Sequence, residues 1–459
     1  MKHSKSAVRC KFSCLPKLRF DDQQLTSYSG LIIFQQLFAD LDLKAKLGRC
    51  FSHRQISPIF SNASVVMLLI VHLLIGYRSL RHVRYYDNDP LVLRILGLSK
   101  LPNVSTISRQ LGNLDDRSVG NIEKLQQRMV LETVAREQLA RVTLDFDGSV
   151  LGTCRHAEGV AIGFNRKKKG QRSYYPLYCT IAQTAQVLAV HHRSGNHHDC
   201  FEALAFIRQC IEKVRKTRPQ AVIETRMDGA FFSEDIVAML DEYNVEYSIS
   251  VPFERYTTIK CFIDERRRWN KISTFQSFFE KHISLKSWKL PRHRFLFVRR
   301  RNAIQNKEPI QLDLFYPADY SHQYKVIITN KSSKPARIVG YHEGRGTQEG
   351  LFAELKSQLS MSYIPCNTWN GNKVFMLSAI LAHNLTRELQ MHHHERDRGT
   401  TTKRPSLWIF TQISTLRRNI IQRAGRLIRP DGTLTLSMAA NDAVKNELAR
   451  YLPTDSMAA

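Results

Sequence analysis

Residues 141–149 read RVTLDFDGS, and here the chain changes its pattern. Val142, Leu144 and Phe146 alternate with Thr143, Asp145 and Asp147, which is the period of a strand and not of a helix. The same signal returns in QVLAVHH at 186–192, AVIETR at 221–226 and EYSISV at 246–251. Between the second and third of these four strands lies FEALAFIRQCIEKVRK, whose Phe201, Leu204, Ile207, Ile211 and Val214 share one helical face. Ser233 begins another helix that runs to about Tyr243. Strands alternating with helices predict an α/β sheet core over 141–253.

Upstream, residues 1–25 are polar and basic and read as a loosely held arm. From 26 to 140 the pattern is helical, with apolar clusters at Leu31, Ile32, Phe34 and Leu37, a run from Ser64 to Gly76, and a piece from Leu91 to Leu98. Asp89 suits a helix cap, Pro90 the first helical position and Gly97 the stop. After a turn at Leu101-Pro102-Asn103, Val104, Ile107, Leu111 and Leu114 recur at helical spacing and leave Ser108, Arg109 and Gln110 on the outer face. A short helix, a tight turn and a polar-faced second helix make either a helix-turn-helix or a plain helical hairpin. The first of these makes 26–140 a DNA-binding region with Arg109 turned toward bases.

Downstream, the helical pattern stops from 254 to 336, where RFLFVRR, IQLDLFY and YKVIITN read as short strands of a β-rich insertion. Trp269 and Trp288 in this stretch either pack its core or stack on a displaced base. Helices resume within 337–395, and 396–459, with Arg417, Arg418, Arg423, Arg426 and Arg429, reads as a basic tail.

Composition bounds the partner. With 68 Lys+Arg against 41 Asp+Glu, the 459 residues carry a formal charge of +27, which predicts a polyanion, nucleic acid before an acidic membrane surface. Apolar residues at 43% and charged residues at 24% exclude global disorder. The run from Ser64 to Gly76 is shorter than the ~20 residues of a membrane span and carries His72, so a buried helix and no membrane partner are expected. No export signal follows the basic N-terminus, and nine cysteines without a CxxC pair suit free thiols in a reducing cytoplasm. The GxSxG and GxxxxGK[ST] phrases of serine hydrolases and Walker-type NTPases are absent. Histidines at 191/192, 197/198 and 392–394 lack the spacing of a zinc-protease helix.

The chemistry-bearing residues are acids. Asp147 ends the first strand and Asp228 directly follows another; strand ends in such sheets open on a crevice where two carboxylates can share a metal, or they simply cap turns. The third element is Tyr341-x3-Arg345-x3-Glu349-x6-Lys356. Its steps advance about 40°, 40° and −20° round a helix, so the four side chains can share one face. Glycines at 344, 346 and 350 place the start of the regular helix near Thr347, with Tyr341 and Arg345 in its lead-in. A carboxylate beside cations and a phenol suits a metal facing a phosphodiester, and equally a solvated, salt-bridged helix. Glu354 competes as the third acid, although it lies ~140° round the helix from Glu349.

The set LDFDGS, TRMDGAFFS and Y-x3-R-x3-E-x6-K resembles the DDE transposases of bacterial insertion sequences, in the group with a Tyr-Arg-Glu-Lys signature, and within it the insertion-sequence family numbered thirteen-eighty. GFNRKKKGQRSYYPL, SGNHH, AELKSQLSM, AHNLTREL, LTSYSGL and PNVSTISRQL are also similar, so the likeness runs from about 26 to 395. One departure is the three residues between Tyr341 and Arg345, where the broader signature has two.

The resemblance implies an α/β, ribonuclease-H-like catalytic core interrupted by a β-rich insertion, with a helical N-terminal DNA-binding region. The 121 residues from 228 to 349 leave room for that insertion. It implies that Asp147, Asp228 and Glu349 are catalytic metal ligands, with Asp145 the fallback for the first. Two Mg²⁺ ions, for which Mn²⁺ can substitute, would serve phosphoryl transfer. Arg345 and Lys356 would hold the phosphates flanking the cut, with Tyr341 beside them. Lys167, Lys168, Lys169 and Arg172 look like a rail for the DNA backbone, or a solvated basic loop. The expected protein is a cytoplasmic, nucleoid-associated bacterial enzyme, working as a homodimer on paired ends. It would bind the terminal inverted repeats of its element in double-stranded DNA, cleave the ends and join them to target DNA. A captured or inactive transposase that binds DNA without cutting it is the alternative.

Overall fold

The computed structural model describes residues 15–54, 59–163, 168–198, 200–301 and 322–453. Its N-terminal part is helical: α1 (Ile32–Asp40), α2 (Leu43–Cys50), α3 (Asn62–Leu74), α4 (Pro90–Leu96), α5 (Val104–Gly112) and α6 (Asp116–Arg136). Local chemistry sets their ends. Ser61 caps α3 by accepting from the Ser64 amide at 3.1 Å. Asp89 caps α4 by accepting from the Leu91 and Val92 amides, each at 3.1 Å, and Gly97 ends it in the left-handed region at φ 65°. The apolar run becomes α3, buried from Val65 to Leu74.

Nine strands then build one mixed sheet: β1 (Arg141–Gly148), β2 (Leu177–Ile181), β3 (Gln186–His191), β4 (Val222–Met227), β5 (Glu246–Val251), β6 (Asn270–Lys271), β7 (Gln276–Ile283), β8 (His293–Arg301) and β9 (His322–Thr329). Their spatial order is β6-β7-β8-β9-β5-β4-β1-β2-β3. Strand β1 is antiparallel to β2 and parallel to β4, and β4 is parallel to β5. Parallel neighbours need a crossover, supplied by α7 (Ala203–Thr217) before β4 and α8 (Glu234–Glu242) between β4 and β5. The apolar faces of these helices, Phe206, Ile207 and Ile211 with Ile236, Val237 and Leu240, share a core with Leu144, Phe146 and Ile223 of the sheet.

Later helices are α9 (Thr257–Asp264), α10 (Pro335–Glu343), α11 (Thr347–Ser357), α12 (Trp369–His393) and α13 (Asp442–Ala449). Helix α12 is buried along nearly its whole length and joins the N-terminal helices to the second face of the sheet, where Tyr178, Val187 and Val190 lie. At the edge strand β3, Asn384 accepts from the Val187 amide and donates to its carbonyl, both at 2.9 Å. Its side-chain amide completes the ladder that an edge leaves open.

The 254–336 stretch differs from its sequence reading in two ways. It holds a helix, α9, and its strands form no separate layer. Strand β9 pairs antiparallel with β5 from Val326↔Val251 to Thr329↔Ser248, so β6 to β9 extend the core sheet itself. Apolar alternation reports that a face is buried, not which edge a strand joins. The IQLDLFY segment lies outside the described residues. Trp269 packs against Phe279 with centroids 4.7 Å apart and Trp288 against Phe232 at 4.8 Å, so both indoles serve internal packing.

The segment after 395 is likewise no loose tail. Arg417 is buried and donates to the carbonyls of Leu74 at 2.7 Å and Leu73 at 2.5 Å, which places a cation at the C-terminal end of α3. Gly425–Ile428 pairs with Leu25–Thr26 on one side and Thr435–Met438 on the other, which ties down the end of the N-terminal arm as well. Among the described residues no helix is long and apolar enough to cross a membrane.

Candidate active site

Because Leu144 and Phe146 face the α7/α8 core, Asp145 and Asp147 turn to the other side of β1. Strands β1 and β4 pair in parallel as far as Asp145↔Arg226, and Asp147 and Asp228 each follow two residues on, at the carboxyl ends of the two strands. Adjacent strands lie roughly 4.8 Å apart, so the paired stretch brings together two strand ends that 81 residues of chain separate.

The four neighbouring acids divide by burial. Asp145 is buried in a two-pronged pair with Arg226, both contacts at 2.6 Å, and the same guanidinium donates to the Lys403 carbonyl at 2.7 Å. Burial raises the Asp145 carboxyl above its ordinary value, against the pull of Arg226. Asp145 is therefore committed inside the fold to Arg226. Glu354 is committed too: it pairs with Arg387, accepts from the Ile413 amide at 3.1 Å, and is 4% exposed. By contrast Asp147 is part-exposed and accepts from Arg345 at 3.3 Å, and Glu349 is exposed in the first turn of α11.

Asp228 does both things that the sequence allowed. Its carboxylate caps the turn Gly229–Phe231 by accepting from the Ala230 amide at 2.9 Å, and it lines a cleft of about 1000 Å³ with Gly148, Ser149, Lys168 and Lys356. Glu349 and Arg345 border a neighbouring hollow of about 530 Å³ with Arg300, Lys325 and His342. Burial holds His342 well below its ordinary pKa, and its ring nitrogens bond Ser248 and Ser250 at 3.0 and 2.9 Å. Burial, with Arg345 adding to it, lowers Lys325.

Two strand-end carboxylates are suitable donors for a hard divalent cation, which takes oxygen ligands and keeps waters of its own. Among the described residues, however, no three His, Cys, Asp or Glu side chains are grouped to hold a metal, so Glu349 is not drawn into a closed cluster with the two aspartates.

The other expected contacts separate cleanly. Tyr341 is corrected: it is 3% exposed, its hydroxyl donates to the Thr225 carbonyl at 3.1 Å, and Lys331 lies 4.1 Å from the centre of its ring. A phenol sealed between β4 and α10 meets no phosphate. Arg345 falls in the turn Gly344–Gly346, just ahead of α11, which begins at Thr347 as its glycines indicate. Lys168 and Lys169 are exposed, Arg172 is part-buried, and Lys167 lies outside the described residues. Arg109 is exposed on α5, whereas Gln110 is drawn inward to the Phe60 carbonyl at 2.8 Å. Of the histidines, His191 pairs with Glu202 at 2.6 Å, His192 packs between Tyr174 and Trp369, and His392 bonds Glu388 at 2.8 Å.

Sequence reasoning missed the polar layer beneath the acids. Buried Glu224 accepts from Arg141 at 3.1 Å, Thr143 at 2.7 Å, Lys331 at 2.8 Å and Arg404 at 2.6 Å. Burial works to raise its pKa, but the cations take it down to about 2. The signal was present, since Glu224, Arg226 and Asp228 recur at period 2 beside an apolar face.

A model of the transposase DDE domain, group 1, matches residues 10–454. The chain belongs to this family. It is a DDE-type DNA transposase, an enzyme of metal-dependent phosphodiester cleavage and strand transfer. No curated protein matches it. Solved structures similar to this transposase include a piggyBac transposase synaptic complex with hairpin DNA, 10% identical over 93% of this chain and 86% of that one, at a TM-score of 0.38. A Mos1 transposase paired-end complex with the left transposon end is 10% identical over 43% of this chain and 60% of that one, at 0.18. A Mos1 mariner paired-end complex with Mn is 11% identical over the same shares, at 0.17.

Proposed function

We propose that this transposase binds the terminal inverted repeats of its own element, cuts the DNA 3′ ends by hydrolysis and joins them to target DNA by transesterification. The observation that supports this reading is the parallel register of β1 and β4, which runs as far as Asp145↔Arg226 just ahead of Asp147 and Asp228, with Arg345 paired to Asp147 and Lys356 lining the cleft of Asp228. The strand order β3-β2-β1-β4-β5, with only β2 reversed against β1, supports a ribonuclease-H-like core, and β6 to β9 are the insertion that lengthens it.

In this reading Asp147, Asp228 and Glu349 would hold the metal, the two aspartates from the ends of β1 and β4 and Glu349 from the first turn of α11. Two Mg²⁺ ions, or Mn²⁺ in their place, supply charge stabilisation of the attacking and leaving oxygens. Arg345 passes from Asp147 to a flanking phosphate, which its planar fork grips at two points, and Lys356 adds a point charge across the cleft. Lys168, Lys169 and Arg172, with Lys167, guide the backbone, and Arg109 on α5 reads a base of the terminal repeat. The active form is a homodimer on paired ends. The resemblance of its motifs supports membership of the Tyr-Arg-Glu-Lys group and the family numbered thirteen-eighty, and with it work in a bacterial cytoplasm at the nucleoid.

The test separates binding from cutting. Asp147→Asn and Glu349→Gln should abolish cleavage of an element-end duplex in Mg²⁺ and leave its affinity unchanged or slightly raised, since a repulsive charge is lost and no phosphate contact with it. Folded variants that fail to bind DNA would reassign these acids to structure, and Glu349→Gln retaining full cleavage would remove the third ligand.

A further inference from the structure

The turn between α3 and α4 carries a feature that no motif of the catalytic core includes. Residues 77–86 read YRSLRHVRYY, and Leu80–Tyr85 is a 3₁₀ helix. In that helix side chains three apart stand on one edge, about 6 Å from one to the next. Arg81 and Arg84 occupy such an edge and Arg78 leads into it, and all three are exposed. None of the three forms an ion pair with a carboxylate of the described residues, whereas Arg49 and Arg54 nearby pair with Asp42 and Asp115.

The row ends on an aromatic platform. Tyr85 is 61% exposed, and its ring stacks on Tyr77 with centroids 6.1 Å apart and planes 19° from parallel. Tyr77 stacks in turn on buried Tyr86, 5.4 Å away at 20°. A large apolar ring held out to water on a stack of two others forgoes burial that a core would give it. The guanidinium of Arg84 lies 5.2 Å from the centre of the Tyr85 ring. The other end of the row reaches the catalytic cleft: Arg78 lies 5.8 Å from the ring of Tyr363, Ser79 Oγ is 3.4 Å from the Tyr363 hydroxyl, and the preceding Ser362 lines the cleft beside Asp228 and Lys356.

We propose that the Arg78-Arg81-Arg84 row and Tyr85 form a docking track for a single DNA strand leaving the cleft, the arginines holding successive phosphates and Tyr85 stacking on an unpaired base. This rests on the transposase reading above and adds a surface to it. Evenly spaced unpaired cations suit a polyanionic backbone, and an exposed ring beside them suits the face of a base, which every nucleotide offers. A duplex keeps its bases stacked inside and has no use for the ring, so the platform selects an unpaired strand.

The test uses the full chain and two labelled probes from the element end, a blunt duplex and the same duplex with a short single-stranded tail. Tyr85→Ala should weaken binding of the tailed probe about tenfold and leave the blunt probe unaffected, while Tyr85→Phe should bind both as the unmutated chain does. Arg81→Ala with Arg84→Ala should make the salt dependence for the tailed probe shallower by about 0.7 per arginine in log–log slope. All three substituted positions are exposed, so melting curves should match that of the unmutated chain. A Tyr85→Ala chain that binds the tailed probe as tightly as the unmutated chain does overturns the proposal. Arginine variants that weaken both probes alike, with Tyr85→Ala silent, overturn it in favour of a plain duplex contact. Cleavage of the element end by the unmutated chain in Mg²⁺ reads the transposase assignment separately, since that result stands or falls whatever the Tyr85 variants bind.

Discussion

Glu224 shows how much of this protein's electrostatics lies under the acids and not in them. Its pKa of about 2, against an ordinary 4.5, means that the folded state favours its ionised form. The resulting stability is fully present above about pH 4.5 and is lost as the pH falls toward 2; a shift of this size corresponds to about 3 kcal/mol. Thermal melts should therefore hold steady above that pH and fall steeply below it. Glu224→Gln should melt lower at pH 7, by about 3 to 5 kcal/mol, because Arg141, Lys331 and Arg404 lose their shared anion. It should also show a gentler acid slope; an unchanged slope would take Glu224 out of this account. Tyr341→Phe tests the corrected residue. Losing one buried hydroxyl bond should cost about 1 kcal/mol in urea melts and leave DNA affinity as it was, whereas a phosphate ligand would show the reverse.

At the scale of elements, the turn between α10 and α11 is the tightest joint near the site. A Cβ at Gly344 would collide with the Lys403 carbonyl and the Arg226 guanidinium. Gly344→Ala should thus destabilise the fold by about 2 kcal/mol or more and lower cleavage further than stability explains, by moving Arg345 and Glu349 off their places. Cleavage and melting measured on one preparation check this, and a variant like the unmutated chain in both would mean the joint is slack. The sequence announced α11 at Thr347 through its glycines, and the cap, Pro and Gly of α4 were equally legible, since such signals act within a few residues. Strand β2 and strand β7 were not read: LYCTI is buried at every position, and QSFFEKHI lacks clean alternation. Which of the two acids is buried in a fixed pair could not be read either. Asp145 and Asp147 share a face and a residue type, and only the partner Arg226, from a distant strand, tells them apart.

The whole molecule is closed by its C-terminal segment. Arg417 on the end of α3, Ile413 on Glu354 and Lys403 on Arg226 bind that segment to the N-terminal helices, α11 and the sheet. Deleting residues after 395 should leave a chain that aggregates or melts at least 10 °C lower, whereas a true tail would be removed with no change in the melt. Basic composition could not disclose this, because a guanidinium on a helix carbonyl and one in water look alike in sequence.

The shared sheet has one more consequence. Neighbouring strands in a sheet turn by about 20 to 25° relative to each other, and four steps separate β4 from β7. Over that span the turn adds up to roughly 80 to 100°, so the outer hairpin stands crosswise to the strands that carry Asp147 and Asp228. The hollow of Arg300, Lys325 and Arg345 is lined by β8 of that hairpin, by β9, and by the turn ahead of α11. Inner and outer strands are one hydrogen-bonded sheet, joined where β9 pairs with β5. A load on the outer strands is therefore passed directly through hydrogen-bonded neighbours to β4 and β1.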